Sequence, residues 1–414
     1  MPDTLIDKLH TQLAPEARSV FDATIEHAAR SNLHAFLVGG TVRDLLLDRE
    51  ALDVDVTIEG DAVALAHEVA ASTGAKLKAS EFGTATLKSG AFRLDLTTAR
   101  AETYAKPGAL PKVRRSTIDD DLLRRDFTIN AIAVELTGPS PGKILDPTGG
   151  VADLRAGLVR VLNDRSFQDD ATRIIRAVRY AARFDFRIED STLDLIARDL
   201  SYLDEISGTR LRQEMARVFA EDHPDRAIAL LHELGVLRAI HPALDPSDEH
   251  IAAFQSIHGA DSTTTALAWA LLASNAGESD IPNLIRRLAL TRKQAEAVRA
   301  MPIVRALSPR LNDDLRPSEL AKLLSPIPEP ALLAYSLSAE PEATRHIRDY
   351  LDRTRTVRPI LRGDDVVELG VEQGPDIADV LAELRDARLD GEVTSRDDEV
   401  QFVEAYLARE LAGF

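Results

Sequence analysis

FLVGGTVRDLLLDREALDVDVTI, residues 36–58, opens with an apolar run, breaks at Gly39-Gly40 and closes on two aspartates one residue apart. The apolar run reads as a buried strand, "TVRDLLL" as a short helix starting just after the glycines, and "DVDVTI" as a second strand. Alternation places Val54, Val56 and Ile58 on one face of that strand and Asp53, Asp55 and Thr57 on the other. The two carboxylates then stand about 7 Å apart, a spacing that can bracket one or two hard divalent ions. Asp95, in the alternating stretch "FRLDLTT", has the same setting and is a candidate third carboxylate. Gly39-Gly40 before a helix lets backbone N–H groups approach a phosphate. The plain alternative is an ordinary strand–turn–helix–strand with solvated charges.

Outward from this stretch, the 414 residues provide for several domains, and 44% hydrophobic with 29% charged residues is a globular composition. No apolar run approaches the ~18 residues of a membrane span, and "MPDTLIDKLH" lacks a basic region followed by an apolar core. A cytoplasmic protein is expected, with no membrane partner. The absence of cysteine excludes disulfides, thiolate catalysis and cysteine zinc sites. A net charge of −18 argues against a surface coated throughout by nucleic acid but leaves room for a local basic groove.

Strand and helix signals mix as far as about residue 136; "DAVALAHEVAAS" reads as a helix capped by Asp61. Beyond "DPTGGVADLRAG" (146–157) strand signals nearly vanish, and 167–184, 192–204, 209–221, 224–235 and most of 250–414 read as helices. The expected class is α+β. A mixed-sheet head (1–140) precedes an all-helical neck (141–222) and a helical body and tail (223–414).

The order "GGTVRDLLL…DVDVTI" resembles the first signature of the nucleotidyltransferase superfamily of class II tRNA CCA-adding enzymes and bacterial poly(A) polymerases. The resemblance implies a small mixed sheet flanked by helices, with Asp53 and Asp55 holding two catalytic Mg2+ ions. It also implies Gly39, Gly40 and Arg43 against the triphosphate, and Asp44 supporting the turn. "DDDLLRRDFTINAIAV" (119–134) resembles the second signature, in which Arg125, Asp126 and Asn130 match residues binding the sugar and phosphates of the incoming nucleotide. A capped helix with a charged first turn accounts for Asp126 alone.

In "SFQDDATRIIRAVRYAARFDF" (166–186), Asp169, Asp170 and Arg173 stand three and four residues apart, so one helix face can carry all three. A salt-bridged surface helix is the bland reading. The block resembles the family motif that reads the base as a protein template, with Asp170 and Arg173 as the matches and Asp169 where glutamate is usual. Cytosine and adenine each present an amine to the carboxylate; guanine and uracil present a carbonyl. Arg176, Arg179 and Arg183 follow and are expected to meet phosphates. "AETYAKPGALPKVRRST" (101–117), with Pro107, Gly108, Pro111, Lys106, Lys112, Arg114 and Arg115, is too broken for regular structure. It resembles the family's flexible loop, thought to help switch from C to A addition; the alternative is a solvated connector. The resemblance covers about residues 35–240.

These blocks imply an enzyme that adds C, C and A to tRNA 3′ ends from CTP and ATP. Relatives adding only CC, only the final A, or poly(A) are alternatives within the same class. A catalytically silent RNA-binding module is the alternative outside it, and intact Asp53, Asp55 and Asp95 disfavour that. The oligomeric state is not legible.

Overall fold

The alternation of residues 34–59 is realised as two antiparallel strands, β1 (His34–Val38) and β2 (Asp53–Glu59), in a computed structural model. The structure describes residues 4–411 apart from 52, 81, 82, 107 and 110; two positions of the segment 101–117, Pro107 and Leu110, therefore lie outside the described residues. The chain forms two compact units, residues 1–215 with 233–240, and 216–232 with 241–414.

The first unit opens with α1 (Leu5–Gln12), closed by a Thr4–Asp7 capping box, and α2 (Pro15–Arg30), which has proline at its first position. After β1 come α3 (Gly40–Leu46), β2, α4 (Ala62–Thr73), β3 (Lys76–Ala79), β4 (Thr84–Ser89) and β5 (Phe92–Thr98). Asp61 caps α4 as expected, accepting from the N–H groups of Val63 and Ala64. β6 (Arg100–Thr103) and β7 (Lys112–Arg115) form a separate antiparallel ribbon. The segment 101–117 is thus not irregular throughout: "RAET" and "KVRR" pair, with the Pro/Gly portion between them.

Next come α5 (Ile118–Leu123), a 3-10 turn at 128–130, β8 (Ala133–Glu135), β9 (Ile144–Leu145) and α6 (Gly150–Ala156). The main sheet runs β3-β4-β5-β2-β1-β8-β9, and β2 and β5 are parallel neighbours, the register setting Asp55 beside Asp95. Its apolar positions, among them Leu37, Val54, Val56, Ile58, Leu87, Leu94 and Leu96, are almost fully buried with Phe21, Leu65 and Val69 of α2 and α4. This is the mixed sheet flanked by helices that the sequence implies.

The strand signal does not end at 146. β10 (Leu158–Val159) and β11 (Arg187–Ile188) pair in parallel and bracket α7 (Ser166–Asp169) and α8 (Thr172–Phe184). α9 (Asp190–Asp199), a 3-10 stretch over 200–205 and α10 (Gly208–Phe219) follow.

The second unit is helical. Trp269 is buried in the helix Ser262–Leu272, which packs on Arg292–Leu311 and Glu329–Ser336. Towards the end of the chain, Val366, Val380, Leu384 and Val403 form a separate core, beside which Glu399 accepts from the N–H groups of Ile360 and Leu361 and from Arg388. No helix among the described residues is long and apolar enough to cross a membrane.

Candidate functional site

Gly39 ends β1 with φ +64°, and an added Cβ would lie 2.5 Å from Nη1 of Arg125. The left-handed backbone favours glycine, and a side chain there would also have to displace the Arg125 guanidinium. The turn feeds α3, whose Thr41 joins the first signature to the aspartate strand. Thr41 Oγ1 donates to the Asp53 carbonyl (3.1 Å) and accepts from the Asp55 N–H (2.9 Å). Thr41 was not singled out from sequence; its place directly after the glycines is the signal that marked it.

Asp53 and Asp55 share one face of β2 as alternation requires, and among the described residues no hydrogen bond or ion pair holds either carboxylate. Asp55 is pushed up to about 6. Burial is the main cause, opposed by Arg125 and reinforced by Asp95 and Asp53. Asp95, the expected third carboxylate, sits opposite Asp55 but is engaged at both oxygens, by Thr86 Oγ1 (2.5 Å) and Arg93 Nη2 (2.7 Å). Among the described residues no cluster of three acidic or histidine groups is arranged for a metal. Asp53 and Asp55 nonetheless fit a divalent cation: two neighbouring carboxylates lack protein donors, and a bound cation would offset the burial that opposes the charge of Asp55.

The raised value has a stability consequence. Between the ordinary aspartate value of 3.8 and about 6, the folded state holds a proton that the unfolded chain releases. Stability from this group is therefore complete below pH 4 and lost as pH rises through 6, about 3 kcal/mol in all. In chelator, Asp55→Asn is expected to exceed the wild type in denaturant stability by up to about that amount at pH 8, with the difference vanishing near pH 4. Equal stabilities at both pH values would show that the carboxylate is hydrated.

The second signature is folded as a break, not as one helix. α5 ends at Leu123, and the chain turns through Arg124–Phe127 into the 3-10 turn. Asp121, fully buried, accepts from Arg124 Nε (3.0 Å) and Nη2 (2.7 Å) and from Arg125 Nη2 (2.9 Å). Burial raises its pKa, but the two guanidinium groups prevail and hold it below the usual range. Asp121 also escaped the sequence reading, although its spacing from Arg124 and Arg125 is that of helical ion pairs.

Asp126 accepts from Phe127 N–H (2.9 Å) and Asn130 Nδ2 (3.0 Å) on one oxygen and from Arg176 on the other. Burial opposes its ionisation, yet Arg176 and Asn130 bring it down to about 2. Arg176 is in turn held above the ordinary arginine value: burial works against its charge, and Asp126 outweighs it.

Arg43 is 4% exposed, donating to Asn130 Oδ1 (2.6 Å) and Asp44 Oδ1 (2.9 Å), with its guanidinium 5.2 Å from the Tyr180 ring and 4.6 Å from that of Phe184. In the structure Arg43 and Arg176 thus bridge signature blocks through Asn130 and Asp126. Arg179 is also buried, 4.8 Å from Tyr180, and Arg183 lies over Phe184.

The third block departs from expectation most. Residues 166–184 are not one helix: α7 ends at Asp169, Asp170 is extended (φ −148°, ψ 97°), and α8 starts at Thr172. The cause is Asp170 itself, whose Oδ1 accepts from Thr172 N–H (3.0 Å) and Oγ1 (2.6 Å) and so caps α8. Asp169, Asp170 and Arg173 consequently share no single helix face. Arg173 donates to Ser166 Oγ (2.8 Å) and to the Arg124 carbonyl (3.0 Å), and Asp170 Oδ2 accepts from Arg210 (2.7 Å). A cavity of about 370 Å3 opens here, lined by Glu102, Tyr104, Arg124, Arg165, Asp169 and Arg173 among others. Burial raises Asp169, with Arg173 and Arg165 opposing.

Residues 35–160 match the poly A polymerase head domain family, and 185–247 match the probable RNA and SrmB-binding site of polymerase A. An A-adding tRNA nucleotidyltransferase of Halalkalibacterium halodurans is 34% identical over 98% of this chain and 96% of its own length. A CC-adding tRNA nucleotidyltransferase of Deinococcus radiodurans is 31% identical over 97% and 96%. The structure of the Thermotoga maritima CCA-adding enzyme complexed with tRNA superposes with a TM-score of 0.80 at 27% identity, covering 98% of each chain.

Proposed function

Since the chain belongs to the tRNA nucleotidyltransferase family, we propose that it adds C, C and A to the 3′ end of tRNA from CTP and ATP, in the cytoplasm and without a nucleic acid template. The observation that carries this is the Asp53–Asp55 face, tied by Thr41 to the turn at Gly39-Gly40 and lacking protein donors to either carboxylate. Asp53 and Asp55 would hold the divalent ions, two Mg2+ in this reading, whose charge would activate the tRNA 3′-hydroxyl and steady the triphosphate.

The chain's own residues supply the rest. Arg125, anchored by Asp121 and lying against Gly39, brings a guanidinium to the turn where the phosphates would rest. Asp126 and Asn130, fixed by Arg176 and Arg43, offer hydrogen-bonding groups for the sugar. Asp170 and Arg173 flank the joint between α7 and α8 and would present acceptor and donor to the base edge. Arg43 and Arg176 act on this site through Asn130 and Asp126, as positioning residues. The helical second unit would hold tRNA through its shape and backbone.

Addition of the terminal A alone is the second reading, favoured by the full-length identity to an A-adding relative. Incubating the protein with tRNA lacking CCA, ending in C, or ending in CC, with each nucleotide separately, decides between them. CCA addition requires CMP incorporation on the first two and AMP on the third. AMP on the third with no CMP anywhere establishes the second reading, and no incorporation on any of them overturns both.

A further inference from the structure

Arg210 lies outside the three signature blocks, yet it reaches both the base-reading joint and the turn of the β6–β7 ribbon. Its Nη2 donates to Asp170 Oδ2 at 2.7 Å, and its Nη1 lies 3.5 Å from the carbonyl oxygen of Gly108. Asp170 Oδ1 is already committed to Thr172. The plane of the Asp170 carboxylate is therefore set from two sides, by the start of α8 on one oxygen and by α10 on the other.

The ribbon turn has its own seat. Gly108 has φ +69°, and an added Cβ would stand 2.9 Å from Glu205 Cβ and 3.0 Å from the Glu205 carbonyl oxygen. No side chain fits there without lifting the turn, because one of the two obstacles is backbone. Glu205 closes the 3-10 stretch 200–205 that precedes α10, so the surface that seats Gly108 is continuous with the segment that carries Arg210.

We propose that Arg210 is a positioning residue for nucleotide selection, fixing the plane of Asp170 and coupling it to the seating of the β6–β7 turn at Gly108. The inference rests on the proposed reading of Asp170 and Arg173 as the base-contacting pair. A carboxylate held at both oxygens offers its remaining lone pairs in one direction, so it accepts from an amine at one place on the base edge and repels a carbonyl there. Released from Arg210, it rotates about its Cβ–Cγ bond, and that directional exclusion weakens.

The test compares the intact wild type with Arg210→Ala, Arg210→Lys and Gly108→Ala. Incorporation of each nucleotide into tRNA lacking terminal residues gives kcat/KM ratios of accepted to rejected nucleotides. Tryptic cleavage after Lys112, Arg114 and Arg115 reports the seating of the turn. Arg210→Ala is expected to lower the ratio at least tenfold, chiefly through KM, and to speed cleavage of the ribbon. Arg210→Lys, which returns a donor to Asp170, should restore most of the ratio. Gly108→Ala leaves every group at Asp170 in place and should shift the ratio in the same direction as Arg210→Ala while speeding cleavage. A uniform fall in rate with ratios unchanged in Arg210→Ala overturns the positioning role. A lysine variant as indiscriminate as the alanine variant overturns the Asp170 contact as its cause. Faster cleavage with unchanged selection in Gly108→Ala overturns the coupling. The underlying reading fails separately, by wild-type selection in Asp170→Ala or no incorporation by the wild type.

Discussion

Asp53→Ala and Asp55→Ala are each expected to reduce nucleotide addition by at least a thousandfold, on the order of 4 kcal/mol of transition-state stabilisation, with tRNA affinity little changed. Either substitution leaves one unpartnered carboxylate on the β2 face, since Asp95 is engaged by Arg93 and Thr86 and does not replace it. The loss belongs to chemistry and not to folding: both side chains lack protein partners, and removing Asp55 also removes a buried charge that burdens the fold at neutral pH. Single-turnover incorporation, tRNA binding and divalent-dependent thermal shifts on the same preparations test this. Turnover above about a tenth of wild type in either variant removes the metal assignment.

Asp121→Ala is expected to cost stability instead, about 3 kcal/mol or more. The change removes three hydrogen bonds to Arg124 and Arg125 and leaves the Arg125 guanidinium, 17% exposed, without its carboxylate, while Arg124 keeps only Glu102. Breaking a buried pair by deleting one partner is far more damaging than replacing the whole pair. The pKa of Asp121 lies below its unfolded value, so its contribution is complete above the ordinary aspartate range near 3.8 and is lost as pH falls further. Urea denaturation at pH 7 checks the magnitude, and a loss below about 1 kcal/mol would mean that solvent screens the cluster. Asp121→Asn, which keeps an acceptor of the same shape, should fall between the two.

The head was legible because its signals are local. Alternation in "DVDVTI" and the glycines before "TVRDLLL" fix which faces point where, and these elements formed as expected. What joins them is not local. Nothing in the periodicity of "FRLDLTT" says that β5 lies parallel to β2 and sets Asp95 opposite Asp55. Nor does the sequence show that Arg43 packs against Tyr180 and Phe184, far along the chain.

The joint at Asp170 was hidden differently. The apolar spacing of 166–184 suits one helix, and the break arises from a side-chain hydrogen bond to a backbone two residues on. The Asp-x-Thr at 170–172 is a cap signal that the stronger periodicity masked. Arg210 stands in "SGTRLRQEMARVF", a stretch within the family resemblance, but nothing in its spacing ties it to Asp170.

That joint also bears on how such a protein changes over generations. Asp170 ends one helix, caps the next and is the residue proposed to meet the base. A mutation that would alter nucleotide preference there strips a cap at the same time, a loss of about 1 kcal/mol. Coding and folding are thus written in one codon. A lineage drifting towards a different nucleotide has to pass through less stable ancestors or acquire a stabilising change elsewhere first, so shifts in preference are more accessible through neighbours such as Arg210 than through Asp170 itself.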